Sequence, residues 1–132
     1  ANAKLTGAPV RAALRHLNRS DSRSGARLRL NIDEHRQLIV VMGGSLGSAV
    51  LNATLRGVVE HWAHRRDLAI LHLTGARYFT DDIPDLDRVS LADRIDYRRL
   101  AYCQDMVDVY AAADMVISRA GASTVAEITT VG

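Results

Sequence analysis

Met42-Gly43-Gly44-Ser45-Leu46-Gly47-Ser48 follows the apolar run Leu38-Ile39-Val40-Val41 and precedes apolar residues at Leu46, Val50, Leu51, Leu55, Val58, Val59 and Trp62. An unbroken apolar run marks a parallel strand covered on both faces, because a half-exposed strand alternates. The spacing that follows predicts a helix over 46–65. The local reading is therefore strand, glycine turn, helix. Glycines permit a tight turn and a close approach of backbone N–H groups to a ligand. A helix behind them presents unpaired N–H groups and the positive end of its dipole, a combination that favours phosphate.

The same unit recurs along the chain. Leu68-Ala69-Ile70-Leu71-His72-Leu73 reads as a second buried strand, ended by Thr74-Gly75. Residues 98–102 read as a third strand and 104–112 as a short helix. Asp114-Met115-Val116-Ile117-Ser118 reads as a fourth strand. It runs into a second glycine turn, Arg119-Ala120-Gly121-Ala122-Ser123-Thr124, and a helix from Val125 to Thr130. Strands alternating with helices imply an α/β fold, a Rossmann-like, mostly parallel sheet with flanking helices. Both glycine turns follow strands directly, so they are expected on one rim, with strands 38–42 and 114–118 close together. Ligands bind at that rim in such sheets. Ahead of the first strand, Pro9 suits a helix start, and Val10, Leu14 and Leu17 share one helical face. The polar stretch from Asn18 to Gly25 reads as a surface loop, and Ala26 to Leu30 as a short helical turn. Tyr78 to Asp93, acidic and holding Pro84, reads as a loop with at most a short helix.

The 132 residues, 48% hydrophobic, suffice for one domain with a core. Aromatic content of 5% argues against a base-stacking surface, so no nucleic-acid partner is expected. The single cysteine, Cys103, excludes an internal disulfide. No Asp/His cluster has metal-ligand spacing, and neither metal nor cofactor is expected. No run reaches transmembrane length. The basic residues form two mild clusters, Arg11 to Arg29 and His61 to Arg66, read as solvated helix faces, with contact to acidic lipid as the sharper alternative. The chain opens Ala1-Asn2-Ala3 and stops at Val131-Gly132 in a helical pattern, which reads as a piece of a longer protein.

Four motifs in order carry a resemblance: Thr-Gly-Ala-Pro-Val-Arg at 6–11, Gly-Gly-Ser-Leu-Gly-Ser at 43–48, His-Leu-Thr-Gly at 72–75 and Ser-Arg-Ala-Gly-Ala-Ser-Thr-Val-Ala-Glu at 118–127. From about Thr6 to Gly132 the chain resembles the donor-binding half of the MurG-type UDP-N-acetylglucosamine transferases. These are GT-B enzymes with two Rossmann-like halves and a cleft between them. The resemblance implies that residues 1–132 are a partial donor-binding domain, truncated at its C-terminal end, with the acceptor-binding half absent. It implies an inverting hexosyltransferase of peptidoglycan synthesis, converting lipid I to lipid II at the cytoplasmic face of the bacterial plasma membrane. The partners implied are UDP-GlcNAc, a lipid-linked acceptor held by the missing half, and the peripheral inner membrane. The general base is expected in that missing half, so this fragment is expected to contain no catalytic residue and to be inactive alone. The chain departs from the family pattern at Ala8, Ser48 and Cys103-Gln104.

The substrate-binding residues expected are Arg11, Gly44, Ser45, Cys103, Gly121, Ala122 and Glu127. Transfer from UDP-GlcNAc leaves negative charge on a pyrophosphate, and fixed donors aimed at it lower the barrier. Two helix N-termini, led by Gly44-Ser45 and Gly121-Ala122, suit that role. Glycine at these turns also has a plain steric reading, tight turning and close packing. The Glu127 carboxylate suits the two hydroxyls of a ribose, against the plainer role of a charge favoured by its helix dipole. Arg11 is expected at uracil or phosphate, and Arg119 at phosphate or as a brace of its turn. His72 is expected to be structural. Cys103 is expected to be a packed residue, its backbone facing the uracil, and not a nucleophile. Three other readings compete: another enzyme of this architecture, such as a UDP-GlcNAc epimerase or glycolipid transferase; a stand-alone nucleotide-sugar-binding subunit that needs a partner chain; and a dinucleotide-binding domain. The last is disfavoured because residues 43–48 lack Gly-x-Gly-x-x-Gly spacing.

Overall fold

A computed structural model describes residues 7–79, 84–86 and 89–132. Thr6 of the first motif and part of the stretch read as a loop between Tyr78 and Asp93 lie outside the described residues. Four strands form one parallel sheet: β1 (Gln37–Met42), β2 (Leu68–Leu73), β3 (Asp96–Leu100) and β4 (Met115–Ser118), in the order β3-β2-β1-β4. The apolar runs of β1 and β2 are sandwiched as expected. On one face, Val41, Leu68 and Ile70 pack against α3 (Ala49–His61) through Leu55 and Val59. On the other, Leu38, Val40, Leu71 and Leu73 pack against α4 (Met106–Ala112) through Val109 and Tyr110. Leu14 of the four-residue α1 (Ala12–Arg15) and Ile128 of α5 (Ala122–Val131) join this second layer.

The largest departure from the sequence reading is residues 18–30. They form a helix, α2 (Arg19–Arg29), where a loop and a short turn were expected. Asn18 caps it, its side chain accepting from the Asp21 N–H at 3.4 Å. The helix carries little apolar surface, so hydrophobic periodicity gave no sign of it. What holds it is a row of arginines at four-residue spacing, Arg19, Arg23 and Arg27, all facing the C-terminal end of α4. Arg19 and Arg23 donate to the Ala113 carbonyl, and Arg23 and Arg27 to that of Ala112. These are the carbonyls that a helix end leaves unpaired, and cations there also oppose the negative dipole end. The basic cluster read as a solvated face is thus largely spent inside the molecule.

Asp114 completes the arrangement. Its Oδ2 accepts from Arg27 at 2.6 Å and from the Leu38 N–H at 2.7 Å, and its Oδ1 from Arg23 at 2.5 Å. Its own N–H donates to the Leu38 carbonyl. One residue thereby ties α2 to the β1–β4 junction. Arg27 is only 1% exposed, and it also donates to the carbonyls of Asp33, Glu34 and Arg36. Burial opposes ionisation of Asp114, yet the Leu38 N–H and the arginines outweigh it and hold the carboxyl below its usual range.

Other boundaries moved by smaller amounts. β3 lies two residues earlier than expected, because its polar opening hides it: Asp96 and Arg98 pair at 2.8–2.9 Å, and Arg98 reaches the Leu30 and Asn31 carbonyls. Such charges also suit a sheet edge, where they discourage further pairing. The helix expected over 46–65 starts at Ala49 and ends at His61, so Leu46 falls outside it and is 82% exposed, while Val50, in its first turn, faces solvent at 79%.

Replacing Asp114 by Ala strands a buried guanidinium and a strand N–H together. The expected loss is about 3 kcal/mol, on the scale of breaking a buried ion pair from one side. Urea unfolding of the full protein measures it, and a loss under about 0.5 kcal/mol, the range of ordinary surface changes, contradicts the role given to Asp114.

Candidate functional site

The strand order locates the site. The chain leaves β1 toward β2, then returns from β3 by way of α4 to the opposite side of β1. Connections that diverge in this way open a crevice at the carboxyl ends of the two strands between which the order reverses. Here those strands are β1 and β4, paired from Ile39↔Met115 to Met42↔Ser118, so both glycine turns share one rim as expected. Two recesses occupy it. The first, of about 260 Å³, is lined by Arg11, Met42, Leu73, Cys103, Tyr110 and Glu127 together with the turn residues. The second, of about 400 Å³, lies between the two glycine turns and includes Gly121 and Arg119. Gly44, Ser45, Ser123 and Thr124 line both, so the two form one continuous cleft. Of the seven residues expected, Arg11, Gly44, Ser45, Cys103, Gly121 and Glu127 line it; Ala122 is the exposed first residue of α5 at its edge.

The glycines divide into two kinds. A Cβ on Gly47 would run into the Thr74 carbonyl, and one on Gly75 would come within 2.6 Å of Gly47. Both have positive φ. These two are required for packing, one turn seated on the other. Gly121 is different. Its φ of −68° is open to any residue, and a Cβ there would meet nothing nearer than Thr124 Oγ1 at 3.9 Å. Nothing among the described residues demands glycine at 121, while an added methyl group would narrow the recess.

The two helix ends also differ, which corrects one expectation. Gly44 and Ser45 do not open α3. They belong to a separate turn, closed by the Gly47 N–H donating to the Gly44 carbonyl at 3.0 Å. The helix begins after Ser48, whose hydroxyl accepts from the Leu51 N–H. Ser48, one of the positions read from the sequence as departing from the family pattern, is therefore the cap of α3. By contrast α5 has Gly121 as its N-cap and no side-chain cap, so its first-turn N–H groups face the second recess unclaimed by any side chain. Of the two helix ends, only that of α5 leaves its first-turn N–H groups without a side-chain cap, the arrangement that favours an anion. Arg119 beside it has no ion pair among the described residues.

Glu127 lies in the second turn of α5, beyond the reach of the dipole effect that competed for it. Its Oε1 accepts from Arg11 at 3.2 Å, and its Oε2 from the Tyr110 hydroxyl at 2.9 Å. Arg11 also donates to the Gln104 carbonyl at 3.5 Å. Arg11 thus meets the carboxylate directly, a contact no spacing rule foresaw. A carboxylate has about four acceptor positions, so two remain for a ligand. Tyr110 is a polar lining residue that sequence reasoning missed. Nothing in the sequence links Tyr110 to Glu127 before α4 and α5 are brought side by side.

Cys103 lines the first recess, and burial pushes its thiol pKa up, so it stays protonated and a poor nucleophile. His72 points the other way. Leu73 lines the cleft, and its neighbour along the strand faces α3. His72 is 2% exposed, with Nε2 2.9 Å from Asn52 Oδ1 and Nδ1 2.8 Å from the Tyr97 hydroxyl. Asn52 uses its N–H on the Thr74 carbonyl, so its oxygen must accept. His72 is therefore protonated on Nε2, and the Tyr97 hydroxyl donates to Nδ1. Its role is structural, as expected.

The fold and cleft define an open α/β domain with two glycine turns and an uncapped helix end at its strand switch point. Residues 38–132 match the family model described as Glycosyltransferase family 28 C-terminal domain, and the chain belongs to that family. It is 34% identical over 131 residues to a Salinibacter ruber protein, covering 99% of this chain and 33% of the relative. A Clavibacter michiganensis relative is 37% identical over 131 residues, covering 98% and 33%. Both are named UDP-N-acetylglucosamine–N-acetylmuramyl-(pentapeptide) pyrophosphoryl-undecaprenol N-acetylglucosamine transferase. The solved structure of Acinetobacter baumannii MurG superposes with a TM-score of 0.66 at 27% identity, over 98% of this chain and 34% of that one. The chain thus spans about a third of the length of the relatives it matches.

Burial, and after it the charge of Arg99, lowers the His72 pKa from 6.5 to about 4. The unfolded chain takes up this proton at higher pH than the folded one. Stability from His72 is therefore full above pH 6.5 and falls as pH drops toward 4, by up to about 1.4 kcal/mol per pH unit. His72→Gln should lower stability at neutral pH and flatten that part of the curve. Parallel curves for the two proteins, by urea unfolding across pH 4–7.5, would exclude this.

Proposed function

We propose that the chain is the donor-binding part of an inverting N-acetylglucosaminyltransferase that carries GlcNAc from UDP-GlcNAc to an undecaprenyl-linked muramyl pentapeptide. The observation that carries the reading is the uncapped N-terminus of α5. It opens with a glycine that the fold does not require, into a recess shared with a second glycine turn. The diphosphate fits there, against the α5 N–H groups, with the Ser45 hydroxyl and Arg119 at hand. The nucleoside fits the first recess, with its ribose hydroxyls on the free positions of Glu127 and its base against the Cys103 backbone. Arg11 steadies Glu127 at the mouth.

As the bond to the sugar breaks, charge grows on the departing UDP, and donors already in place stabilise it without reorganisation. The described residues thus hold and polarise the donor. The acceptor and the base that activates its hydroxyl belong to another part of the enzyme. The proposed setting is peripheral, at the cytoplasmic face of the plasma membrane, where a soluble UDP-sugar meets a lipid-linked acceptor. No helix among the described residues is long and apolar enough to cross a membrane.

Two substitutions in the full protein test the reading by calorimetry with UDP. Gly121→Ala should leave the protein as stable, or more stable by about 0.4–1 kcal/mol because the unfolded chain is stiffened, while UDP binding weakens. Unchanged affinity removes the diphosphate from this rim. Glu127→Ala should weaken UDP binding about ten- to a hundredfold, the scale of losing 1.5–3 kcal/mol of charge-assisted bonding. Unchanged UDP affinity with a lowered melting point would leave Glu127 as no more than a link between α5, Tyr110 and Arg11.

A further inference from the structure

We infer that Tyr110 is the positioning residue for ribose recognition: its hydroxyl fixes the Glu127 carboxylate in the orientation that admits the two sugar hydroxyls. The inference rests on the nucleotide reading of the cleft and adds to it a residue that never touches the chemistry. Tyr110 is 4% exposed, its ring packed in the core beneath the first recess. Its hydroxyl reaches across from α4 to α5 and donates to Glu127 Oε2 at 2.9 Å. Burial, and then this bond, raise the Tyr110 pKa, so the phenol remains a donor. The other restraint on Glu127 is weaker. Arg11 is half exposed, stands at 3.2 Å, and ends a long flexible side chain. A solvated guanidinium contact of that kind fixes orientation poorly. The rigid ring of Tyr110, with its hydroxyl on a fixed axis, sets where Oε2 lies and hence which way Oε1 and the remaining acceptor positions face.

A residue that orients a ribose acceptor has a signature that a packing residue lacks. Its loss affects only ligands that carry the ribose hydroxyls. Tyr110→Phe keeps the ring and its packing and removes the hydroxyl alone. In the full protein, calorimetry compares UDP with 2′,3′-dideoxyuridine diphosphate on wild type and variant. The expected result is a roughly three- to tenfold loss for UDP in the variant, within the scale of one hydrogen bond. The dideoxy ligand should bind both proteins alike, within about twofold. Equal losses for both ligands, or no loss for either, overturn the positioning role. Wild type that binds UDP and the dideoxy ligand equally well overturns the ribose assignment of Glu127, and the inference with it. Wild type that binds neither overturns the nucleotide reading itself. A melting temperature for the variant close to that of wild type confirms that the ring still packs.

Discussion

The carboxylate of Asp114 joins two parts of the chain that share no apolar pattern. It stands where α4 gives way to β4, and it accepts from Arg23 and Arg27 of α2 on one side and from the Leu38 N–H on the other. Remove it and the buried Arg27 guanidinium loses its only charged partner among the described residues. The start of β4 also loses one of its ties to β1. Asp114 stands directly before β4, which ends four residues later at Ser118, at the turn that opens α5. The rim that carries the glycine turns thus depends partly on an ion pair at the opposite end of the sheet.

At the rim, packing and ligand access are assigned to different glycines. Gly47 and Gly75 bring the turn after β1 against the turn after β2, at a distance no side chain allows. That contact is internal and would be needed whatever the cleft binds. Gly121 has no such duty, and neither does the uncapped first turn of α5. Where a fold leaves a helix end without a cap beside a cavity, the missing partner is naturally sought in a ligand. The α3 end is satisfied by its own Ser48, so the two helices, alike on paper, are unequal in the structure. This inequality gives the cleft a direction, with the open helix end at the start of α5 and the carboxylate of Glu127 further along the same helix.

Most of the sheet was legible in the chain because parallel strands buried on both faces are largely apolar, as Leu38–Val41 and Leu68–Leu71 are. The glycine turns were legible because they interrupt those runs directly. Helix α2 was not, since its restraints are arginines donating to carbonyls more than eighty residues away, and polarity at that density also describes a loop. Its one local sign, arginine at every fourth position, acquires meaning only when the end of α4 is known to lie opposite. The opening of β3 was hidden likewise, by an Asp–Arg pair that looks like turn chemistry until it is seen on a sheet edge.

By itself the sequence determined the fold class, the rim and the identity of the lining residues Gly44, Gly121, Arg11 and Glu127, because each of these follows from local pattern or ordered motifs. Only the tertiary structure decided how they are used. It showed that Glu127 is held from both sides, that His72 faces away from the cleft, and that one glycine turn is mainly packing while the other is open. The physical reason is the same in each case. A side chain's role at a site depends on which of its hydrogen-bonding positions remain free, and that is fixed by neighbours distant in sequence. Arg11 lies 116 positions from Glu127, and Tyr110 lies 17 positions away on a different helix.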